Sequence, residues 1–330
     1  MIDEDLSKCG KEAVVDIELE LVTNMSLELE MQLNAQTDKE IIDLLREYMS
    51  RIFTDYAHDI DLSFYDTQGD STRLMHDQHI MDANQQRYVL HLPIHDYQHL
   101  AVANIEENNQ VALTDDAHCH PSRLLQQRAD TIKPHATGLF TARSTMRLVE
   151  GIDQTFFVRL YMANCASTLV VDPRIYSADD IRVVASGFAS QFQICDSSYV
   201  FDTKAPVIVT DKLTAKTDPR VCFCTVNFPS RESLPAARAS ALTRHVIETN
   251  APFVALQGEQ SLWEYRVYVR NADGTITESI VGIRQPLRPG QLKVIQVWIG
   301  DDGRVNSESP DVGISVTLDW KPGNTFTPEI

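Results

Sequence analysis

An all-β fold with minor helices, laid out as two tandem β-sandwich domains, is what this sequence predicts, and three observations carry the prediction. Apolar and polar residues alternate with period two over many short runs, turn-forming clusters such as Asn271-Ala272-Asp273-Gly274 and Asp301-Asp302-Gly303 separate the runs, and helical spacing is clear in only one segment. A chain of 330 residues, at about 150 residues per domain, has material for two cores, and 43% hydrophobic residues are enough to fill them.

Val15, Ile17, Leu19 and Leu21 alternate with Asp16, Glu18 and Glu20, which predicts a strand with one wet face. Met25, Leu27, Leu29, Met31 and Leu33 repeat the pattern against Ser26, Glu28, Glu30 and Gln32, and both runs are expected to be paired within the first sandwich. Thr37 and Glu40 have the spacing of a capping box, ahead of Ile41, Leu44, Leu45, Tyr48, Met49 and Ile52 at helical intervals. Alternation returns at Ile60, Leu62 and Phe64, before the turn-like Asp66-Thr67-Gln68-Gly69, and at Tyr88, Leu90 and Leu92 before Pro93.

Residues 121–150 lose the pattern, with Pro121, Pro134, Gly138 and a helix-like Leu124-Leu125 segment. A boundary near Gly151 therefore divides the chain into domains 1–150 and 151–330. Beyond it, strands are expected at 155–162, 168–171, Val207–Val209 and 221–228. A hairpin follows from Trp263, Tyr265, Val267 and Val269 through Asn271-Ala272-Asp273-Gly274 to Ile276–Ile283. Leu292–Ile299 repeats the device, with its turn at Asp301-Asp302-Gly303, and Val312–Trp320 is the most regular strand of all.

Charge narrows the partners. Lys and Arg number 29 against 47 Asp and Glu, a formal net charge of -18, so a phosphate backbone is repelled and nucleic acid is excluded as the main partner. No run approaches the ~20 apolar residues of a membrane-spanning helix. Met1-Ile2-Asp3-Glu4-Asp5 carries acids where a secretory signal carries basic and then apolar residues.

Eight of the ten His lie between His76 and His135, including His91, His95 and His99 at intervals of four and the pair His118 and His120 around Cys119. On a strand, a spacing of four separates side chains by about 13 Å, too far for one ion, and Pro93 argues against a helix there. Exposed polar positions on a His-rich sheet face are expected instead, with no metal. Asp55, Asp59, Asp61 and Asp66 lack the Gly and Glu of a calcium loop and read as solubility on a strand face. Cys222 and Cys224 share one face of an apolar strand and read as buried thiols. The even cysteine count in each half permits disulfides without demanding them. No nucleophile elbow, phosphate loop or zincin motif is present, so neither catalytic activity nor a tightly bound cofactor is expected.

Ile2-Asp3-Glu4-Asp5-Leu6-Ser7-Lys8-Cys9, directly ahead of a strand, resembles the start of mature minor fimbrial anchor subunits of Bacteroidales type V pili. In that family an export signal and a lipid-bearing Cys stand just ahead of a comparable acidic-Leu-Ser-x-Cys stretch. Phe64-Tyr65-Asp66-Thr67-Gln68-Gly69, Leu139-Phe140-Thr141-Ala142 and Phe157-Val158-Arg159-Leu160-Tyr161 extend the likeness, the last fitting the opening strand of the second domain.

The resemblance implies two transthyretin-like β-sandwiches and a non-enzymatic subunit that holds a fimbrial shaft at the outer membrane and limits its length. It implies a surface-exposed lipoprotein whose partners are the shaft subunit, met by strand addition, and the membrane, met through a lipid ahead of these residues. Family shaft subunits lose a first strand to an Arg-specific protease, which opens a groove for a neighbour. The first Arg here is Arg46, so residues 1–45 offer no such site, as befits an anchor that keeps its own strand. The export-linked reading further implies a disulfide between Cys9 and Cys119, the only other cysteine of the first half.

Two other functions compete. A surface glycan-binding sandwich is motivated by acidic charge and by Trp263, Tyr265, Tyr268, Trp298 and Trp320, although alternation puts Trp263, Tyr265 and Trp320 on core faces. An enzyme would have to draw on His91, His95, His99 or Asp61.

Overall fold

The computed structural model describes residues 12–22, 32–34, 37–54, 56–80, 87–114, 117–202, 206–233 and 261–309, together with the backbone of 312–320. The first half runs β1 (Glu12–Val22), α1 (Lys39–Ile52), β2 (Asp59–Asp66), β3 (Arg73–Ile80), β4 (Arg87–Pro93) and β5 (Asp96–Ala103). It continues through β6 (Val111–Leu113), β7 (Arg123–Gln126), β8 (Thr131–Ile132), β9 (Phe140–Arg147) and β10 (Gln154–Met162). The second half holds β11 (Cys165–Asp172), β12 (Ile181–Ser186), β13 (Gln191–Gln193), β14 (Ser198–Val200), β15 (Val207–Val209), β16 (Asp211–Thr214) and β17 (Val221–Asn227). Then come β18 (Trp263–Arg270), β19 (Ile276–Ile283), β20 (Leu292–Ile299), β21 (Val305–Asn306) and β22 (Val312–Trp320).

These strands form four sheets, and the all-β prediction holds. A seven-stranded sheet has the order β3-β2-β5-β9-β10-β1-β4; a five-stranded one β16-β17-β11-β20-β21; a six-stranded one β22-β19-β18-β12-β15-β8; and a four-stranded one β14-β13-β7-β6. Sequence alternation decides which face each strand buries. In β1, Ala13, Val15, Ile17 and Leu19 enter the core while Glu12, Val14 and Glu20 are exposed. Helix α1 lays Ile41, Ile42, Leu45, Tyr48, Met49 and Ile52 into the same core.

That core runs from the seven-stranded sheet across α1 to Ala166, Val170, Cys222, Cys224 and Val226 of the five-stranded sheet. The opposite face of the five-stranded sheet, through Leu169, Val171, Phe223, Ile295 and Val297, packs on Trp263, Tyr265, Val267 and Val269 of the six-stranded sheet. A third cluster lies behind the seven-stranded sheet, where Tyr65, Leu100 and Val102 meet Leu124 and Phe192 of the four-stranded sheet and Ile194 just past β13.

Several expectations are met in register. β18 and β19 form the hairpin, with Asn271 and Thr275 closing a turn whose Gly274 has φ +81°. β22 adds to β19 as an edge strand of the six-stranded sheet.

Others are corrected. The boundary expected near Gly151 falls in the turn between β9 and β10, which are neighbours in one sheet, so Phe157-Val158-Arg159-Leu160-Tyr161 does not open a second domain. Leu124-Leu125 is not helical: it lies in β7, paired to β13. The capping box fails as well. Glu40 turns outward to accept hydrogen bonds from the backbone N–H groups of Lys216 and Thr217, while Asp38 accepts from Asn34 N at 3.0 Å and from Arg220 at 2.7 Å. The run Met25 to Met31 lies outside the described residues. Both edges of β1 are occupied, by β4 and β10.

Candidate functional site

β1 is the feature on which an assembly role turns. It pairs parallel to β10, from Val15 opposite Gln154 to Val22 opposite Tyr161, and antiparallel to β4, from Glu12 opposite Pro93 to Glu18 opposite Arg87. The opening strand thus sits inside its sheet rather than at an edge, with its hydrogen-bonding groups used on both sides. The outer face of this region is mixed. Glu18 pairs with Arg87 at 2.8 Å and Glu20 with Arg159 at 2.7 Å, both solvent-screened. Beside them Phe157, 75% exposed, and Tyr161, 56% exposed, stand on β10, and Val89 on β4.

Among the described residues the sheet ends at β4 on this side and at β3 on the other. β4 buries Tyr88, Leu90 and Leu92 and exposes Arg87, Val89 and His91, a regular strand whose outer edge has no partner among the described residues. An edge of this kind is open to an added strand. Arg46, the first arginine, lies within α1 and pairs with Asp43 at 3.0 Å.

His91, His95 and His99 do not converge. His91 is exposed on β4, His95 sits in the turn ahead of β5 with its Nε2 3.0 Å from Asp66, and His99 is fully buried on β5. His99 stacks on Phe64 with centroids 4.4 Å apart, and its Nδ1–H donates to Ser63 O at 3.2 Å, while burial lowers its pKa to about 4. His135 is likewise buried, and burial lowers its pKa to about 3. The expectation of exposed polar histidines therefore fails at His99 and His135, because covering sheets bury faces that the strand pattern alone leaves open.

The carboxylates are corrected in the same way. Asp55 lies outside the described residues. Asp59 and Asp61 are buried instead of solubilising a wet face. Asp59 accepts from Ile105 N at 2.9 Å and Glu106 N at 3.3 Å, clamping the turn after β5, although burial raises its pKa overall. Asp61 accepts from His76 Nε2 and from Gln78 Nε2, each at 2.7 Å. Asp61, Arg73, His76, Gln78, Thr114 and Ser122 line a cleft of about 270 Å³ between the seven-stranded and four-stranded sheets, where Tyr65 and Ser122 share a 2.6 Å hydroxyl hydrogen bond.

The aromatic residues weighed for glycan binding divide. Trp263 and Tyr265 are buried in the second core, as alternation required, and Tyr265 donates to Ser167 Oγ at 2.6 Å. Trp298 and Tyr268 are half-buried, with Arg174 lying 5.5 Å over the Trp298 ring. Only the backbone of Trp320 is described.

Cys9 lies outside the described residues, and the neighbour of Cys119 is Cys195, with 2.8 Å between their sulfurs. The first-half pairing implied for Cys9 and Cys119 overlooked it, because nothing in local spacing brings residues 119 and 195 together. His120, Cys195 and Asp196 also gather there. His118, across Cys119 from His120, points away, its Nδ1 3.0 Å from Asp70 O. Cys222 and Cys224 are buried thiols, as read from sequence.

No family model matches the chain, and no curated protein matches it by sequence. Solved structures do match its fold over nearly the whole length. An adhesin candidate from Bacteroides ovatus has a TM-score of 0.53 at 10% identity, covering 93% of this chain and 96% of its own. A candidate polysaccharide-binding protein from Bacteroides thetaiotaomicron has a TM-score of 0.52 at 11% identity, covering 91% and 97%. The fimbrial anchor protein Mfa2 from Porphyromonas gingivalis is also among the matches, with a TM-score of 0.48 at 10% identity, covering 94% and 97%.

Proposed function

We propose that the chain is a non-enzymatic fimbrial anchor subunit, a cell-surface protein that holds a shaft at the outer membrane and limits its length. The observation that carries this reading is the place of β1, paired on both sides and buried along one face. A subunit that gives up its first strand opens a groove for the next copy, whereas one that keeps it offers no groove, so growth stops there. The absence of Arg from residues 1–45 supports the same conclusion, and the fold is shared with an adhesin candidate from Bacteroides ovatus.

In this proposal a shaft subunit adds a strand at an open sheet edge, and a lipid on a cysteine encoded ahead of Met1 ties the other end to the membrane. Deleting the gene in its native host tests it: fimbriae should be shed into the medium or change in length. Normal attachment and normal length would refute the anchor role.

A second reading, capture of a polysaccharide segment, has one observation behind it, the cleft lined by Asp61, Arg73 and Gln78. The match to a candidate polysaccharide-binding protein is in keeping with it. Calorimetric titration with surface glycans, repeated on Asp61→Asn, separates the two: saturable binding lost in the variant favours the cleft.

A further inference from the structure

We propose that Cys119 and Cys195 form a disulfide that staples the four-stranded sheet behind the seven-stranded one. Cys119 lies in the loop before β7 and Cys195 just past β13, and these two strands pair antiparallel, with Phe192 opposite Leu124. Just beyond the ladder Ile194 N donates to Ser122 O at 3.1 Å. Tight turns flank that bond, one closed by Ser122 N on Cys119 O and the other by Ser197 N on Ile194 O. Both cysteines are thereby delivered to the same end of the ladder, with their sulfurs facing each other.

The sulfurs lie 2.8 Å apart, closer than two unbonded sulfurs rest. Both side chains belong to the apolar cluster with Tyr65, Leu124 and Phe192, and burial pushes the Cys119 thiol well up, so an unjoined Cys119 stays protonated. The other described cysteines sit in different cores, Cys165 in the second and Cys222 and Cys224 in the first, so they do not compete.

A zinc ion held by His120, Cys195 and Asp196 is the rival use of this corner. That group has one thiolate, and were Cys119 to complete it, two thiolates on one tetrahedral zinc, each about 2.3 Å from the metal, would lie about 3.8 Å apart. The observed sulfurs are closer than that, and His120 and Asp196 are mostly exposed and 4.0 Å from each other.

The chemistry is exchange with an external disulfide, such as glutathione disulfide or that of an oxidoreductase. His120 Nδ1, 3.7 Å from the Cys195 sulfur, takes the thiol proton. Cys195 Sγ then attacks the external disulfide, forming a mixed disulfide and releasing one external thiolate, which picks up a proton. Cys119 Sγ then attacks Cys195 Sγ, breaking the mixed disulfide, and its proton passes to the departing external thiolate, which leaves as a thiol. Two protein thiols are oxidised, and one external disulfide is reduced to two thiols.

The full chain, equilibrated in a glutathione redox buffer and also refolded in it, is quenched in denaturant with an alkylating agent and weighed intact. Of the six cysteines, four should be alkylated without reductant and all six with it. Trypsin should release residues 88–123 and 183–204 as one fragment that reductant separates. Reductant should lower the Tm of the oxidised protein by several degrees, while Cys119→Ser and Cys195→Ser, singly or together, start at the lower value and do not respond. Six reactive thiols in the oxidised samples, a linked fragment containing any other cysteine pair, or one zinc retained per chain with both thiols released by chelator would each overturn the proposal.

Discussion

Truncating Ile17 to Ala probes whether β1 is locked into its sheet. Ile17 is 0% exposed, standing opposite Tyr88 of β4 and Phe156 of β10. Ile-to-Ala changes in cores cost about 2–5 kcal/mol, and the cost is highest where neighbours cannot move into the space. Strands hydrogen-bonded on both sides hold this site open, so a loss near about 4 kcal/mol is expected, a large share of the roughly 5–15 kcal/mol of a folded protein. Urea unfolding followed by fluorescence is the assay. With a slope of about 3 kcal/mol per M, the midpoint should fall by more than about 1 M while the slope is unchanged. Glu18→Ala, which removes only the screened 2.8 Å pair with Arg87, should change stability by less than about 1 kcal/mol. A midpoint for Ile17→Ala equal to that of the unmodified protein, or an equal loss in both variants, would mean that β1 is not held as described and would remove the basis of the anchor reading.

The buried imidazoles make stability depend on pH. His99 titrates at about 4 when folded against 6.5 ordinarily, so the unfolded chain takes up its proton first; the stability this gives is complete above pH 6.5 and is lost as pH falls toward 4. At about 1.4 kcal/mol per pH unit, His99 accounts for about 3 kcal/mol of that loss, and His99→Phe should flatten the curve in this window. The readout is the difference between the two proteins, because Asp59 and Glu264, raised by burial, titrate in the opposite sense, and an unchanged slope would reject the assignment. Gly187 has φ +98° and would place a Cβ 2.7 Å from Trp263 Cα, so Gly187→Ala should cost more than about 2 kcal/mol in thermal unfolding. Gly151→Ala, also at positive φ but in open space, should cost clearly less; equal losses would show that the contact with Trp263 is not what matters.

What the sequence disclosed follows the range of the interaction. β1, α1, the β18–β19 hairpin and β22 were legible because their periodicity or turn chemistry is written within about ten neighbouring residues. β2 was legible as a strand, but its burial was not: Asp59, Asp61 and Ser63 face polar ways in the pattern, yet they are covered by a sheet whose strands come from residues 111 to 200. Thr37 and Glu40 matched a local cap, but Glu40 found a better donor set 176 residues away. Cys195 was invisible beside Cys119 for the same reason. The pairing of β10 with β1 is parallel and spans 139 residues, and no turn announces it.

That parallel pairing sets an order of events as the chain is made. Val15 waits for Gln154, so 139 residues must emerge before the seam between β1 and β10 can close. Until then β1 is a strand with one vacant side, able to hold β4 but not to finish its sheet. Closure entropy for so distant a contact slows folding, and the interval leaves an adhesive edge open to other chains. The strand that denies a foothold to neighbours in the finished molecule is thus the one most available to them during its birth. A helper that shields the nascent chain would find its task concentrated between the appearance of residue 22 and that of residue 162.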